Sequence, residues 1–384
     1  MRCRLPNIRC NSGLFPPGAA AGLKNDSGLK AGVTLVELMV VVVIMAIVAS
    51  AAFAMFQSTA RHEANQQNIL EQNQNLRAAL YAVSADARMA GSGLALLGVE
   101  RVQVFVPNAI INPDVQDGGN QWFRYAGEND YGVRAIFGTD SGGDAGRSDS
   151  LSIFRSEVET TIPMSRLSAD YNPGTSATLT LQDSVTEGDV ISDGDILAIA
   201  DGVEAVIVQA SLPKDGTTAD INIGPRFRPA AGHPNGLTFP AGSSVYNLRN
   251  VAFVTYYVDR ANMRLVADYH DETFNDDDPS NMTPHLVTVA NNIEDFQVAY
   301  YYFQRGQTGL APPTGAINGS LLTPGQVWIQ AVQLGLVSRS RNISGVGGPG
   351  KPIELMGHTP DTEDGFTRRV LTEMIQLRNS ESGT

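Results

Sequence analysis

The chain has 384 residues, of which 42% are apolar, so it can bury a sizeable core in one large domain or two average ones. Its 40 acidic and 27 basic residues give a formal net charge of −13, which argues against binding to nucleic acid or to anionic lipid headgroups. Both cysteines, Cys3 and Cys10, lie near the start, so the rest of the chain can form neither a disulfide nor a thiolate metal site.

Residues 1–32 differ in charge from everything that follows. They hold five Lys or Arg residues and one Asp, so the remaining chain has a net charge of −17. Because this positive segment precedes an apolar run, the positive-inside rule keeps it cytoplasmic and sends the residues after Phe56 across the membrane. The segment is long and includes Pro16 and Pro17, which leaves open whether translation starts further downstream.

The run over residues 33–56 contains 24 residues and a single charge, Glu37. At about 1.5 Å per helical residue, the run is long enough to cross a bilayer core of about 30 Å. A carboxylate at membrane depth costs on the order of a few kcal/mol, so Glu37 is predicted to have a function. Gly32 stands directly before the run.

No Gly or Pro occurs over residues 33–90, which predicts one continuous helix. Its first part, 33–56, is transmembrane, and its second part, 57–90, is polar and amphipathic. Apolar residues in the second part recur at spacings of seven, four, three and four, and therefore share one face that packs on a sheet. They are Ile69, Leu76, Leu80, Val83 and Ala87.

Beyond Gly93 the pattern changes to short β-branched and aromatic runs between turn residues. The predicted strands are 102–106, 150–154, 177–181, 196–200, 205–209, 251–258, 295–303, 327–337 and 370–377. No repeat is evident. The predicted fold is therefore α+β, with a long N-terminal membrane-spanning helix packed on an antiparallel β-sheet domain over residues 91–384.

The order Gly32, Val33, Thr34, Leu35, Val36, Glu37, followed by about 20 apolar residues, resembles the start of type IV prepilins and of the pseudopilins of type II secretion. The motif is specific because it places a small residue, a charge and a full span in one register. The resemblance implies a pilin-like fold and a leader over residues 1–32. It also implies that a membrane aspartyl peptidase cuts between Gly32 and Val33 and methylates the new amine. Most family members have Phe at the first mature position, so Val33 is a mild departure.

The same resemblance implies a role for Glu37. The new ammonium at Val33 and the Glu37 carboxylate would both lie in an apolar layer, and pairing offsets much of the desolvation cost of each. In the family this pair forms between neighbouring subunits and sets the axial register of assembly. The alternative is an ordinary single-pass anchor in which Glu37 has no role.

Six later segments resemble, in order, the strands of PilW-type minor pilins. They are residues 146–156, 194–210, 249–266, 291–304, 327–340 and 366–379. Each segment alone is only a loose strand pattern. The resemblance is supported by their shared order and by the closing L-R-N. The resemblance therefore covers most of the chain.

Two acidic segments are weak candidates for calcium binding, since Ca²⁺ takes about six to eight oxygen ligands. Residues 268–281 hold six acids and lack the spacing of an EF-hand. The candidate ligands there are Asp276, Asp277 and Asp278, and a solvated acidic loop is the favoured interpretation. The second segment holds Asp140, Asp144 and Asp149, with the same interpretation.

No motif predicts catalysis or a cofactor. Residues 345–351, GVGGPGK, approach a phosphate-binding loop, but Pro352 stands where a Ser or Thr is needed and no helix pattern follows. A flexible connection is predicted instead. Neither H-E-x-x-H nor G-x-S-x-G occurs, and the five His residues are scattered.

The sequence as a whole predicts a PilW-like minor pilin of a type IV pilus, anchored by a single pass in the inner membrane with its C-terminal domain in the periplasm, and incorporated in the pilus. The expected partners are other minor pilins, the major pilin and prepilin peptidase, with no catalytic residue, no cofactor and no nucleic acid. A J-type pseudopilin is the nearest alternative. Alternatives of other classes are a membrane-anchored periplasmic hydrolase and a calcium-responsive adhesin.

Overall fold

The structure is a computed structural model of the whole chain. It describes residues 34–91, 101–106, 121–122, 124–125, 130–131, 136–139, 148–158, 163–173, 175–186, 191–212, 217–224, 237–269, 285–304, 327–340, 355–356 and 366–377. Within these ranges lie one helix and seventeen strands.

The helix is α1, Leu35–Arg88. The strands are β1 (Arg101–Val106), β2 (Gln121–Trp122), β3 (Arg124–Tyr125), β4 (Asp130–Tyr131), β5 (Ile136–Thr139), β6 (Ser150–Val158), β7 (Ser165–Arg166), β8 (Thr178–Thr186), β9 (Ile196–Ala200), β10 (Glu204–Ser211), β11 (Thr217–Ile223), β12 (Ser244–Asp259), β13 (Arg264–Asp268), β14 (Leu286–Asn291), β15 (Ile293–Gln304), β16 (Val327–Arg339) and β17 (Arg368–Gln376).

The predicted helix is confirmed as α1, which runs for 54 residues without interruption. Its length follows from the absence of Gly and Pro, since either residue would weaken or break it. It ends where Gly91 adopts a φ of 72°, a conformation that favours glycine, and the Gly91 N–H donates to the Phe154 carbonyl at 2.9 Å. The end of the helix is therefore bonded to β6.

The chain divides into two units, Met1–His62 and Glu63–Thr384. In the first unit, α1 exposes its apolar side chains, with Val40 51% and Phe56 77% accessible. In the second unit, the rest of α1 packs on the sheets. The boundaries predicted for the leader and the domain stay predictions.

The amphipathic face of α1 lies where its spacing predicts. Leu76, Leu80, Val83 and Ala87 are all buried, and Ile69 is half-buried. The four buried helix residues share one apolar core with strands of two sheets. The strand residues of this core include Leu151, Ile153, Val254, Tyr256, Leu265, Phe296, Val298, Tyr300, Val332, Leu334, Leu336 and Ile375. The fold class is therefore confirmed: a long apolar N-terminal helix packs on antiparallel sheets.

The described strands form three sheets. The largest has twelve strands and contains the path β14-β13-β12-β9-β10-β1-β2. All its pairings are antiparallel except that between β1 and β10. The second sheet is β15-β16-β17, antiparallel throughout, and the third is the short pair β3-β4.

A second apolar core lies away from α1. It is built from β8 to β11, the first half of β12 and the residues around them. Its largest members include Leu167, Tyr171, Leu179, Leu197, Ile199, Ile221 and Phe239. Strand β12, with 16 residues, contributes Val245 to this core and Val254 to the first. The chain therefore has two apolar cores, one that contains α1 and one that does not, and β12 contributes to both.

Two buried aspartates join the large sheet to the sheet β15-β16-β17. The Asp149 carboxylate accepts the Val298 N–H at 2.9 Å, and the Asp295 carboxylate accepts the Ser148 hydroxyl at 2.8 Å and the Gln297 amide at 3.0 Å. A carboxylate bonded to N–H and O–H groups in this way is stabilised by charge-assisted hydrogen bonds. Asp149 therefore has a structural role that its acidic surroundings in the sequence did not indicate.

Strands β12 and β13 are joined by a turn that places several charges beside Tyr257. Burial would raise the pKa of Asp259, but hydrogen bonds from Asn262 and Arg264 outweigh it and lower that pKa. Tyr257 is buried, and burial, together with the charges of Asp268 and Asp259, raises its pKa to about 12.

This shift predicts that the fold loses stability in alkali. The raised pKa of Tyr257 contributes stability that is fully present below about pH 10 and is lost as the pH rises through about 12. A shift of this size corresponds to on the order of 2–3 kcal/mol. Urea unfolding of the full chain in detergent, between pH 8 and 12, should show a shallower decline for Tyr257→Phe than for the wild type. Parallel declines would show that Tyr257 titrates alike in both states.

Candidate functional site

The predicted site residue Glu37 lies in the first turn of α1, and its carboxylate turns back on Thr34. Oε2 of Glu37 accepts the Thr34 N–H at 3.0 Å and the Thr34 hydroxyl at 3.2 Å. In return, the Glu37 N–H donates to Oγ1 of Thr34 at 3.2 Å. The first bond of the helix follows, from the Leu38 N–H to the Thr34 carbonyl at 3.1 Å. These reciprocal contacts form a capping box.

The capping box satisfies groups that would otherwise be costly in an apolar layer. The first N–H groups of a helix have no partner within it, and an unsatisfied polar group in hydrocarbon costs several kcal/mol. The Glu37 carboxylate also lies at the positive end of the helix dipole. Among the described residues, no Lys, Arg or His forms an ion pair with Glu37, and its carboxylate is bonded to Thr34.

The capping role of Thr34 was not predicted from the sequence. Thr-x-x-Glu before an apolar run is the sequence signature of a capping box, so the signal was present at residues 34–37. The same four residues belong to the prepilin-like motif. The capping contacts explain why a hydroxyl and a carboxylate at this spacing suit the start of a helix, whichever further role Glu37 has.

The other predicted site residues fall outside the part of the chain that the structure describes. Gly32 and Val33 precede Thr34, the first described residue. Asp276, Asp277 and Asp278, the weak calcium candidates, lie in the undescribed segment 270–284, and the glycine-rich connection 345–351 is also undescribed. Within the described residues, no group of three or more His, Cys, Asp or Glu side chains could hold a metal ion.

The helix that begins at this site is long and apolar enough to cross a membrane, and it is the one such helix among the described residues. Its apolar window is entirely exposed within the chain. Exposed apolar surface of this extent marks contact with lipid or with other proteins. The first unit of the chain therefore presents a capped carboxylate at one end of a helix that requires an apolar surrounding.

The other end of α1 is fixed to the sheets by polar contacts. Asp86 accepts the Tyr256 hydroxyl at 2.7 Å and pairs with Arg155 at 3.1 Å. Burial, together with the negative charge and hydrogen bond of Asp86, raises the pKa of Tyr256 above its usual range. Nearer the surface, Arg88 pairs with Glu373 at 2.7 Å. We call Asp86, Arg155 and Tyr256 the helix anchor, because they join α1 to β6 and β12.

Comparison with known proteins supports the identification of the N-terminal motif. Residues 29–53 match the family model described as the prokaryotic N-terminal methylation motif. No curated protein matches the chain. Among solved structures, the chain is similar to a type IV-like pilin from Thermus thermophilus, at 16% identity and a TM-score of 0.19, over 49% of this chain and 87% of that one.

The motif match and the structural match differ in what they establish. A TM-score of 0.19 does not indicate a shared arrangement of the whole chain. The match over residues 29–53 covers the predicted cleavage site, Glu37 and most of the apolar run, so the chain carries the methylation motif of prepilin-like proteins. This motif on a single apolar N-terminal helix supports membrane anchoring and a pilin-like role in a pilus or pseudopilus.

Proposed function

We propose that this protein is a PilW-like minor pilin that takes part in assembling a type IV pilus, in a priming or tip complex. The observation that carries the proposal is the methylation motif over residues 29–53, set at the start of an exposed apolar helix. Prepilin peptidase cuts the chain between Gly32 and Val33 and methylates Val33. The mature protein is held in the inner membrane by α1, with its sheet domain in the periplasm.

Glu37 contributes to assembly by exchanging partners. In the single subunit, its carboxylate is bonded to Thr34 at 3.0 and 3.2 Å. The amine released at Val33 belongs to the residue directly before Thr34, and in a neighbouring subunit it offers a full positive charge. In an apolar layer, a carboxylate is attracted more strongly by a full positive charge than by the N–H and hydroxyl of Thr34, so subunit association favours the ion pair. The partners are other minor pilins and the major pilin.

Processing is the first test of this function. We expect the wild-type protein, extracted from membranes, to begin at Val33 and to carry one added methyl group in its intact mass. The Gly32→Leu variant should retain the leader, because its larger side chain replaces the small residue at the cut. Gly28→Leu, four residues earlier in the leader, is the matched control and should be cut normally. An uncut wild-type chain, or a cut beyond Phe56, would contradict the proposal.

The role of Glu37 is tested separately by Glu37→Gln. The glutamine keeps an acceptor oxygen for the Thr34 N–H, so the start of α1 is preserved, but the negative charge is lost. We expect Glu37→Gln to be cut at Val33 and to be depleted from sheared pilus fractions at least about tenfold, the factor that corresponds to losing about 1.4 kcal/mol of subunit pairing. Thr34→Ser, which keeps both the hydroxyl and the charge, should assemble normally. Normal incorporation of Glu37→Gln would remove its charge from the mechanism.

A further inference from the structure

One long strand of the sheet β15-β16-β17 has an open edge. Strand β17 pairs with β16 along one side, over nine residue pairs with no shift of register. Of the six described strands with nine residues or more, the other five have backbone partners on both sides. Along the described part of the chain, β17 is therefore the long strand whose second side is open.

Hydrogen bonds at the two ends of β17 show which of its residues face the open side. The Ser340 N–H donates to the Thr367 carbonyl at 2.9 Å, and the Leu377 N–H donates to the Gln330 carbonyl at 2.8 Å. Both bonds continue the ladder between β16 and β17. Backbone groups in an antiparallel pair point alternately toward and away from the neighbouring strand, so these two bonds fix the alternation for every residue between them. Beyond the first residue of the strand, the backbone groups that point away from β16 belong to Val370, Thr372, Met374 and Gln376.

These outward backbone groups have no hydrogen-bond partner among the residues that the structure describes. Leu371 and Ile375, which alternate with them, pack toward the core that contains α1. The outward residues therefore have their side chains on the opposite face, where Thr372, Met374 and Gln376 are exposed, Met374 to 58%. A row of unpaired N–H and C=O groups is a template for another strand.

The open edge of β17 lacks the features that usually protect such an edge. Proteins protect edges with short strands, bulges, prolines or charges. At other edges of this chain, β2 has only two residues, and the ladder of β14 is shifted between Leu265 and Val266. On the outward side of β17, the one charged residue is Arg368, whose side chain is 1% exposed and pairs with Glu294 at 2.6 Å. The outward side chains over 370–376 are uncharged and include no proline. This edge is therefore suited to pairing.

A second copy of this chain fits the open edge less well than a different subunit does. Asn73 of α1 contacts Arg369 at 3.4 Å. Further along both elements, Arg88 contacts Glu373 at 2.7 Å, so α1 and β17 run in the same direction. Antiparallel pairing of two copies through β17 would therefore reverse one N-terminal helix, which copies anchored in one membrane cannot do. Parallel pairing keeps the orientation but is less stable per residue.

We propose that the open edge of β17 accepts an extended strand from a different pilin-like subunit of the same assembly. The added strand lies along residues 370–376, bonds to their outward N–H and C=O groups, and places an uncharged side chain beside Met374. In strand addition of this kind, main-chain bonds give affinity and alternate side chains give specificity. The inference rests on the proposed function for the assembly that supplies the subunit.

Hydrogen exchange of the backbone amides tests this pairing directly. The tagged full-length chain is purified alone from membranes in detergent and, separately, within sheared pili, and exchange is measured residue by residue. We expect the Thr372 and Met374 amides to exchange at least about tenfold more slowly in pili, because a bonded amide exchanges only when its bond opens. The Leu371 and Glu373 amides are the matched controls, since they are bonded to β16 in both samples. Equal exchange of Thr372 and Met374 in the two samples would overturn the inference.

A proline on the open edge tests whether the pairing matters for assembly. Thr372→Pro removes an outward N–H and places a ring on the edge, but it removes no bond to β16, so the domain should unfold at nearly the wild-type urea concentration. We expect this variant to be depleted from sheared pili at least about fivefold, since a hydrogen bond is lost and the ring obstructs the added strand. Thr372→Ala keeps the N–H and should assemble normally. Glu373→Pro removes a bond within the sheet and should lower the urea midpoint clearly. Normal assembly of Thr372→Pro would contradict the inference.

This inference and the proposed function fail in different ways. The mature N-terminus is determined in the same samples. A chain that begins at methylated Val33 and enters pili, but whose Thr372 amide is not protected there, overturns this inference alone. A chain that is uncut and absent from pili overturns both. Slower exchange that appears in the purified chain alone, as its concentration is raised, would assign the edge to a second copy and overturn the choice of a different subunit.

Discussion

Replacing Asp86 by alanine is expected to lower the free energy of unfolding by about 2–4 kcal/mol. Asp86 bonds the buried Tyr256 hydroxyl at 2.7 Å and pairs with Arg155 at 3.1 Å, so its removal leaves two polar groups without their partner. Breaking a fully buried charge pair costs about 3–5 kcal/mol. The Arg155 side chain is 23% exposed, and solvent therefore reduces that cost. Urea unfolding of the full chain in detergent measures the loss.

Arg88→Ala is the matched control for the helix anchor. Arg88 stands two residues further along the same helix and also forms an ion pair across to a strand, with Glu373 at 2.7 Å. The two side chains are 45% and 33% exposed, and such pairs contribute about 0–1 kcal/mol. Asp86→Asn keeps an acceptor for Tyr256 and should fall between the two variants. A loss for Arg88→Ala equal to that for Asp86→Ala would show that burial does not distinguish these contacts.

The parts of this fold that the sequence predicts depend on local patterns. The helix follows from the absence of Gly and Pro and from the spacing of Leu76, Leu80, Val83 and Ala87, which the structure buries. The strand predicted over 196–200 is confirmed with the same bounds, because its five consecutive buried residues form a continuous apolar run. Both patterns are properties of neighbouring residues and require no knowledge of the rest of the chain.

Several strands that were not predicted from the sequence are polar or lie at edges, although β13 is buried between β12 and β14. In β11 most residues are exposed or half-exposed, and its sequence TTADINI shows no apolar run. Strand β14 is an edge strand of the large sheet with three exposed residues at its start, and β7 has only two residues. Such strands are held by pairing with a neighbour distant in sequence, so their own residues carry little signal.

The residues of the candidate site also differ in whether local sequence patterns predict them. Glu37 stands out in the sequence as the single charge in an apolar run, and its contact with Thr34 is also local. The helix anchor could not be found in this way, because Asp86 and Tyr256 are 170 residues apart and meet only when α1 packs on β12. The two aspartates that join the sheets depend on the same long-range packing, because Asp149 and its partner Val298 are 149 positions apart in the sequence.

Gly335→Val is the second change for which we expect a large loss of stability, about 3 kcal/mol, because Leu355 occupies the space that a side chain needs. Gly335 lies in β16, the central strand of its sheet, where glycine is otherwise unfavourable. A Cβ atom at this position would stand 2.7 Å from one methyl carbon of Leu355 and 2.9 Å from the other. Leu355 is itself buried, so it cannot swing into solvent without exposing apolar surface. Crowding of this kind in a packed site costs about 1–3 kcal/mol, and the branched valine lies at the upper end of that range.

A double-mutant cycle separates this crowding from a general effect of altering the strand. Leu355→Ala alone leaves a cavity and should cost about 2–4 kcal/mol. If Gly335→Val fails through contact with Leu355, then the double variant Gly335→Val with Leu355→Ala is more stable than the sum of the single losses allows, by about 1–3 kcal/mol. Ala331→Val, on the same face of β16 and half-buried, is the matched control and should change stability by less than about 0.5 kcal/mol. Additive losses would place the cause in the backbone of β16 and remove Leu355 from the explanation for this glycine.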